Sequence, residues 1–258
     1  MLDVRATAGA VAAIFMLAAA GWLVSLPKRD VGVVDPLWSL FFLLAVLIYR
    51  ASLPRTPRGE LLLVLVALWA LRLAGYLLWR NWGEPEDRRY RKMRARHQPG
   101  FWWRSVYLVF GLQAAIASVL SLPLLWAVSS QRKLGALDAL ATLLWLVGFL
   151  CETVADLQLA RFKSAGAPTA VLDRGLWRYS RHPNYFGEAL LWWGYFLLAA
   201  AAGGWWTVFA PLLMTFLLLR VSGVSLLEAD IGERRPDYRR YIARTSAFVP
   251  WPPRRTCP

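Results

Sequence analysis

The chain has 258 residues, is 58% hydrophobic, and contains 15 tryptophans; its mean hydropathy is +0.41. That composition excludes an ordinary soluble domain and leaves no room for a separate one beside an integral membrane protein. The net charge of +14 does not require nucleic acid, because most of the arginines fall between apolar runs, as they do in the loops on one side of a membrane protein.

Apolar runs near the ~20 residues needed to cross a bilayer recur along the whole chain. Seven spans are predicted, at about 6–26, 33–49, 61–79, 101–128, 134–159, 184–202 and 205–227. The first has a weak charged N-terminal region and no clear small-residue cleavage site, so it is kept as a span rather than read as a signal peptide. The fourth is expected to bend near Pro123. Gly203-Gly204 joins the last two in a tight hairpin. With seven spans the termini lie on opposite sides, and Lys plus Arg divide 22 to 6 between those sides, Arg72 and Arg220 lying within spans. The positive-inside rule then puts the C-terminus in the cytoplasm and the N-terminus in the periplasm of a bacterial inner membrane. The fold class is all-α, a single membrane-embedded domain over 1–258. The two cysteines, Cys151 and Cys257, form no disulfide framework.

Charges within membrane spans are costly, and each is a functional candidate. Asp35 opens the second span. Arg72 and Tyr76 share a face of the third at i, i+4 spacing, and Glu152 and Asp156 do the same near the cytoplasmic end of the fifth. Arg220 and Glu228 belong to the seventh. As a set these residues suggest a polar cavity open to the cytoplasm; taken one at a time they could be ion pairs that fix helix packing.

The densest polar stretch is Arg178-Tyr-Ser-Arg-His-Pro-Asn-Tyr-Phe-Gly-Glu188. Pro183 lacks an N–H and suits the first turn of a helix, so a loop carrying Arg178, Arg181 and His182 is expected to run into a helix near Asn184. Arginines at a helix N-terminus suit phosphate. Arg161, Lys163 and Arg174 belong to the same loop, and His182, Asn184, Tyr185 and Glu188 are polar groups that an ordinary basic loop does not need. An anionic cofactor with several phosphates matches this set: arginine forks grip phosphate, and Asn can bond an amide such as a nicotinamide carboxamide. In the tail, Tyr238 and Tyr241 are three apart and share a helix face, from which they could stack on an adenine or pack on the membrane surface. Glu84-Pro-Glu-Asp-Arg-Arg-Tyr90 could cap the cavity, or form a solvated amphipathic helix. No GxGxxG, P-loop, Ser-His-Asp arrangement or paired-Cys metal spacing is present, and two histidines are too few for a His-rich metal centre.

Arg181-His-Pro-Asn-Tyr-Phe-Gly-Glu188 with Trp192-Trp193-Gly194 resembles the C-terminal signature of the membrane steroid 5α-reductase family. Arg235-Pro-Asp-Tyr-Arg-Arg-Tyr241, Thr245-Ser-Ala-Phe-Val-Pro-Trp251, Val34-Asp-Pro-Leu-Trp38 and Glu86-Asp-Arg-Arg-Tyr90 resemble its bacterial branch. The resemblance implies NADPH-dependent reduction of a C=C bond conjugated to a ketone, typically the 4,5 double bond of a 3-oxo-4-ene steroid. It implies that Asn184 meets the nicotinamide end, that Asp156, Arg161 and Lys163 meet ribose and phosphates, and that Glu152, Tyr179, Arg181, His182, Tyr185, Glu188, Arg220, Glu228, Arg235, Tyr238 and Tyr241 line the cofactor site. A carboxylic acid and a tyrosine polarise the ketone in that family. Asp35 and Tyr76 are the expected pair here, with Trp38, Trp69 and Arg72 toward the substrate; the animal enzymes' Gln-Glu pair is absent. The Arg-His-Pro-x-Tyr-x-Gly pattern also occurs in isoprenylcysteine carboxyl methyltransferases, so an S-adenosylmethionine-dependent membrane methyltransferase is the alternative. The many loop arginines favour NADPH.

Overall fold

A computed structural model of the chain describes residues 3–165, 170–221, 224, 228 and 236–254. Among these the secondary structure is helical, with no β-strand and one isolated bridge between Ser180 and Ser246. The helices are α1 (Val4–Lys28), α2 (Val34–Ser52), α3 (Pro57–Asn81), α4 (Arg88–Arg96), α5 (Phe101–Ser129), α6 (Ala136–Ser164), α7 (Pro183–Ala201), α8 (Trp205–Val221) and α9 (Pro236–Arg244). Five of them, α1, α2, α3, α5 and α6, are long and apolar enough to cross a membrane. The chain therefore has the character of an integral membrane protein. α7 has 19 residues, but Asn184, Tyr185 and Glu188 dilute its first turns; α8 is shorter.

Helix starts follow capping chemistry more closely than hydropathy. Thr56 accepts a hydrogen bond from the Gly59 N–H (3.0 Å) and Pro57 takes the first helical position, so α3 begins four residues before the apolar run. Asp87 accepts from the Arg89 N–H (2.8 Å) and starts α4 in the charged third loop. The break expected in the fourth span is at Ser121, beside Pro123, which has no N–H to give to the preceding turn. A wide π-type turn over Val106–Gly111 is a second irregularity in α5.

The chain forms two compact units, residues 1–134 with 201–204, and 135–200 with 205–258. The first packs α1, α2, α3 and α5 around Phe41, Phe42, Tyr49, Trp69 and Phe110, all essentially without solvent exposure. Hydroxyls cross-link its helices: Tyr49 pairs with Ser121 (2.7 Å), Ser39 donates to the Ala70 carbonyl (3.0 Å), and Thr56 donates to the Val128 carbonyl (3.2 Å). Arg58, between the second and third predicted spans, is 1% exposed. It donates to Ser130 Oγ (2.9 Å) and to the carbonyls of Arg132 (3.1 Å) and Lys133 (3.2 Å), tying the first turn of α3 to the segment that follows α5.

The second unit is built on close approach of α6 and α7. A Cβ on Gly187 would lie 2.5 Å from the Glu152 nitrogen and 2.6 Å from the Gly148 carbonyl oxygen, and one on Gly194 would lie 2.8 Å from Trp145 Cβ. Only glycine permits that backbone contact. Trp177 closes a small apolar cluster with Ala155 and Leu172. Its indole N–H donates to the Ala155 carbonyl (3.1 Å), fixing the loop before α7 against α6.

Candidate functional site

In the second unit the dense polar stretch is tied to the tail. Arg181 N–H donates to the Ser246 carbonyl (2.9 Å), and Trp251 N–H to the Tyr179 carbonyl (2.9 Å). Ser180 Oγ donates to the Phe248 carbonyl (2.7 Å) and accepts from the His182 N–H (3.1 Å). The Tyr241 hydroxyl donates to the carbonyls of Trp177 and Ser180. Tyr238 and Tyr241 stand edge to face with centroids 5.3 Å apart, both buried. Tyr241 is thus a staple between loop and tail, neither an exposed stacking platform nor a membrane contact. Burial pushes its phenol well above the ordinary range, so it stays a donor.

Arg181 is buried and its guanidinium is engaged on every nitrogen. Nε and Nη2 grip the two carboxylate oxygens of Glu228 (2.7 and 2.9 Å), and Nη1 donates to the carbonyls of Ile242 (3.1 Å) and Thr245 (2.6 Å) at the end of α9. His182 Nε2 lies 2.9 Å from Glu228 Oε1, and its ring stacks on Tyr185 (5.6 Å, 3°). The fork that suited a phosphate is spent on a carboxylate and two carbonyls, which makes Arg181 a positioning residue. Glu228 lies beyond α8. Burial works to raise its pKa, but the hydrogen bonds from His182 and Arg181 and the Arg181 charge outweigh burial and lower it to about 2.

Asn184, in the first turn of α7, donates from Nδ2 to Asp156 Oδ1 on α6 (3.2 Å). A carboxylate accepts only, so this bond fixes the amide orientation and makes the other end an acceptor. That end, Asn184 Oδ1, is buried with no hydrogen-bond partner among the described residues. Glu152, Asp156 and Glu188 are buried on the same two helices. Arg161 and Lys163 are exposed at the end of α6, as are Arg174, Arg178 and Tyr179 before α7. Arg220 is exposed in the π-type last turn of α8. Arg235 lies outside the described residues. A cleft of about 330 Å³ beside the tail is lined by Arg181, Arg244, Thr245, Ser246, Trp251 and Arg254, among others.

In the first unit Asp35 is met by a hydroxyl that the sequence reading did not assign. Tyr90 donates to Asp35 Oδ1 (2.6 Å) and Arg89 Nη2 lies 3.3 Å from Oδ2. Burial, then the Asp35 carboxylate, push the Tyr90 phenol well above its ordinary pKa. Tyr76 rests against Trp79 (6.1 Å) with the Arg80 guanidinium over its ring (5.8 Å). Trp38 and Trp69 both contact Phe42, at 5.3 and 5.9 Å, with Trp69 in the core. Two guanidinium nitrogens of Arg72 are withdrawn from solvent. The signal that could have found Tyr90 is its place on the inner face of a short helix capped by Asp87, next to the loop that joins α1 to α2. Among the described residues no three His, Cys, Asp or Glu side chains gather as a metal site would need.

Residues 21–245 match a family described as a protein of unknown function, DUF1295. An uncharacterized protein of Schizosaccharomyces pombe is 28% identical, over 92% of this chain and 77% of its own length. No solved structure matches.

Proposed function

The chain belongs to the DUF1295 family, and we propose that it is an NADPH-dependent membrane reductase of the C=C bond in a conjugated enone lipid, the 4,5 double bond of a 3-oxo-4-ene steroid being the type case. The observation that carries this reading is the Asn184 amide. Its Nδ2 is held by Asp156, and its Oδ1 is buried with no partner among the described residues. A buried acceptor left without a donor costs about 1–3 kcal/mol, which a bound carboxamide N–H would recover. The carboxamide of nicotinamide supplies that N–H, and the exposed cations Arg161, Lys163 and Arg178 offer charge to the phosphates of the same cofactor. Glu228 keeps Arg181 and His182 in place, so their work is positional.

The chemistry that NADPH supplies when bound is a hydride for the β carbon of the enone. The chain must offer an acid to the ketone oxygen; the candidates in the first unit are Asp35 in its protonated form and the hydroxyls of Tyr76 and of Tyr90, the latter donating to the Asp35 carboxylate in this structure. The arrangement proposed with this function has seven spans: the five long helices, α7, and the segment that begins at Trp205. The N-terminus is periplasmic, and the C-terminus and the His182 stretch are cytoplasmic, in a bacterial inner membrane. The 22 to 6 division of cations supports it.

The test is a titration of the purified protein in detergent with NADPH and, separately, with S-adenosylmethionine, read by tryptophan quenching. It is followed by incubation with NADPH and a 3-oxo-4-ene steroid. NADPH should bind, the steroid should gain two hydrogens by mass, and Asn184→Ala should weaken NADPH binding by roughly 5- to 30-fold, the loss of one to two hydrogen bonds. Binding of S-adenosylmethionine without NADPH overturns the reading in favour of methyl transfer. Unchanged NADPH affinity in Asn184→Ala removes the proposed site.

A further inference from the structure

Helix α4 carries six cations in nine residues, Arg88-Arg-Tyr-Arg-Lys-Met-Arg-Ala-Arg96, and its two faces differ. The inner face is anchored. Tyr90 donates to Asp35, and Arg94 grips Glu86 through Nε (2.9 Å) and Nη2 (2.7 Å) while donating to the Arg29 carbonyl (2.9 Å). Glu86 also accepts from the Val31 N–H (3.0 Å). The outer face presents Arg91, Lys92, Ala95 and Arg96, all exposed, and it includes no acidic residue.

The surroundings of that face distinguish it from a merely solvated basic loop. α4 joins the end of α3 to the start of α5, both apolar enough to cross a membrane. At those two ends four tryptophans are exposed: Trp79, Trp82 (85% exposed), Trp102 and Trp103. The Arg104 guanidinium lies over the Trp103 ring (5.4 Å). Exposed indoles are unfavourable in bulk water and favourable at the level where hydrocarbon gives way to headgroups. Cations on a helix held at that level face phosphate.

We propose that the outer face of α4 binds the headgroups of anionic phospholipids. Arg91, Lys92 and Arg96 supply the charge, and the tryptophans at the ends of α3 and α5 fix the depth. A zwitterionic headgroup carries its own ammonium and is the weaker ligand. Because the inner face of the same helix holds Tyr90 and Arg89 on Asp35, lipid bound outside keeps that cluster assembled and stabilises the folded unit. The proposal does not depend on the reaction assigned above.

The test is thermal unfolding of the purified protein in detergent, with phosphatidylglycerol or phosphatidylcholine added in increasing amount. Phosphatidylglycerol should raise the melting temperature at a lower dose than phosphatidylcholine. Each cation near an anionic surface contributes roughly 5-fold in affinity, so Arg91→Ala with Arg96→Ala should raise the half-maximal dose at least ~10-fold. Arg55→Ala, an exposed cation in the loop between α2 and α3, should leave the dose unchanged. For the native protein the dose should rise as salt goes from about 0.1 to about 1 M, where the screening length falls from ~10 to ~3 Å. Equal potency of the two lipids overturns the proposal. So does an unchanged dose in the double variant, an equal loss in Arg55→Ala, or, should the double variant not fold, a dose that is independent of salt in the native protein.

Discussion

At Arg181, charge alone gives an incomplete reading. Its position before a helix N-terminus fits a phosphate, yet all of its nitrogens are bonded within the chain, two of them to the carboxylate of Glu228. Removing the fork leaves the half-buried Glu228 carboxylate with His182 but without its cation, which costs about 1–3 kcal/mol. Arg181→Ala should therefore lower the melting temperature sharply, and Arg181→Lys should rescue little, because an ammonium cannot reproduce a bidentate grip. Arg178→Ala, at an exposed neighbour, should stay within ~0.5 kcal/mol of the native protein. Equal melting of the Arg181 and Arg178 variants would return Arg181 to the phosphate role. The same pair sets an acid limit. Glu228 is held at about 2 from an ordinary 4.5, so the stability it contributes is complete above about 4.5 and is lost as pH falls toward 2. Denaturation midpoints followed through that window should fall for the native protein and fall less for Glu228→Gln; parallel curves would contradict the assignment. No sequence rule pairs residue 181 with residue 228. The contact crosses 47 positions, beyond the reach of helical spacing.

At the scale of elements, the glycine of the His182 stretch belongs to packing. Gly187 lets the α7 backbone touch α6 at Gly148 and Glu152, which is what holds Asp156 within reach of Asn184. Gly187→Ala should cost about 1–3 kcal/mol as the helices separate, and NADPH affinity should fall with it because the Asn184–Asp156 bond spans the same crossing. Gly75→Ala is the control: its Cβ would meet nothing within 4 Å, so helix propensity should leave stability unchanged or raise it by about 0.5–1 kcal/mol. Thermal melts of the two variants, with an NADPH titration of the first, decide whether the crossing carries this energy. The helices themselves were legible where composition is the cause: the five long apolar ones coincide with predicted spans, and the interruption near Pro123 follows from its missing N–H. Their ends were less so. Hydropathy starts α3 at about residue 61, whereas Thr56 and Pro57 start it by capping chemistry that an apolar count does not see. The π-type turns at Val106–Gly111 and Leu217–Val221 have no local composition to announce them.

At the scale of the whole molecule, the division of charge is the one property read directly from sequence that bears on orientation, and it rests on how many times the chain crosses. Among the described residues five helices are long and apolar enough. With those alone, everything after α6 would stay on one side, and the turn before Trp205 would face the same compartment as Tyr179. With α7 and the segment from Trp205 as two further spans, that turn moves to the opposite side. α7 reads as a poor span because Asn184, Tyr185 and Glu188 lower its apolar content, but those side chains meet protein partners rather than lipid: Asn184 bonds Asp156, Tyr185 stacks on His182, and Glu188 is buried. A helix can afford polar groups in a membrane when neighbouring helices satisfy them. In a background of Cys151→Ser and Cys257→Ser, single cysteines can report each compartment to a membrane-impermeant maleimide. Ala95→Cys and Tyr179→Cys should label only from the cytoplasmic side, in inverted vesicles, and Arg55→Cys and Trp205→Cys only from the periplasmic side, in spheroplasts. Trp205 is the decisive position, being exposed and adjacent to the Gly203-Gly204 turn. Labelling there together with Tyr179 limits the chain to five crossings, whereas labelling there together with Arg55 establishes seven and puts the His182 stretch on the side where NADPH is found.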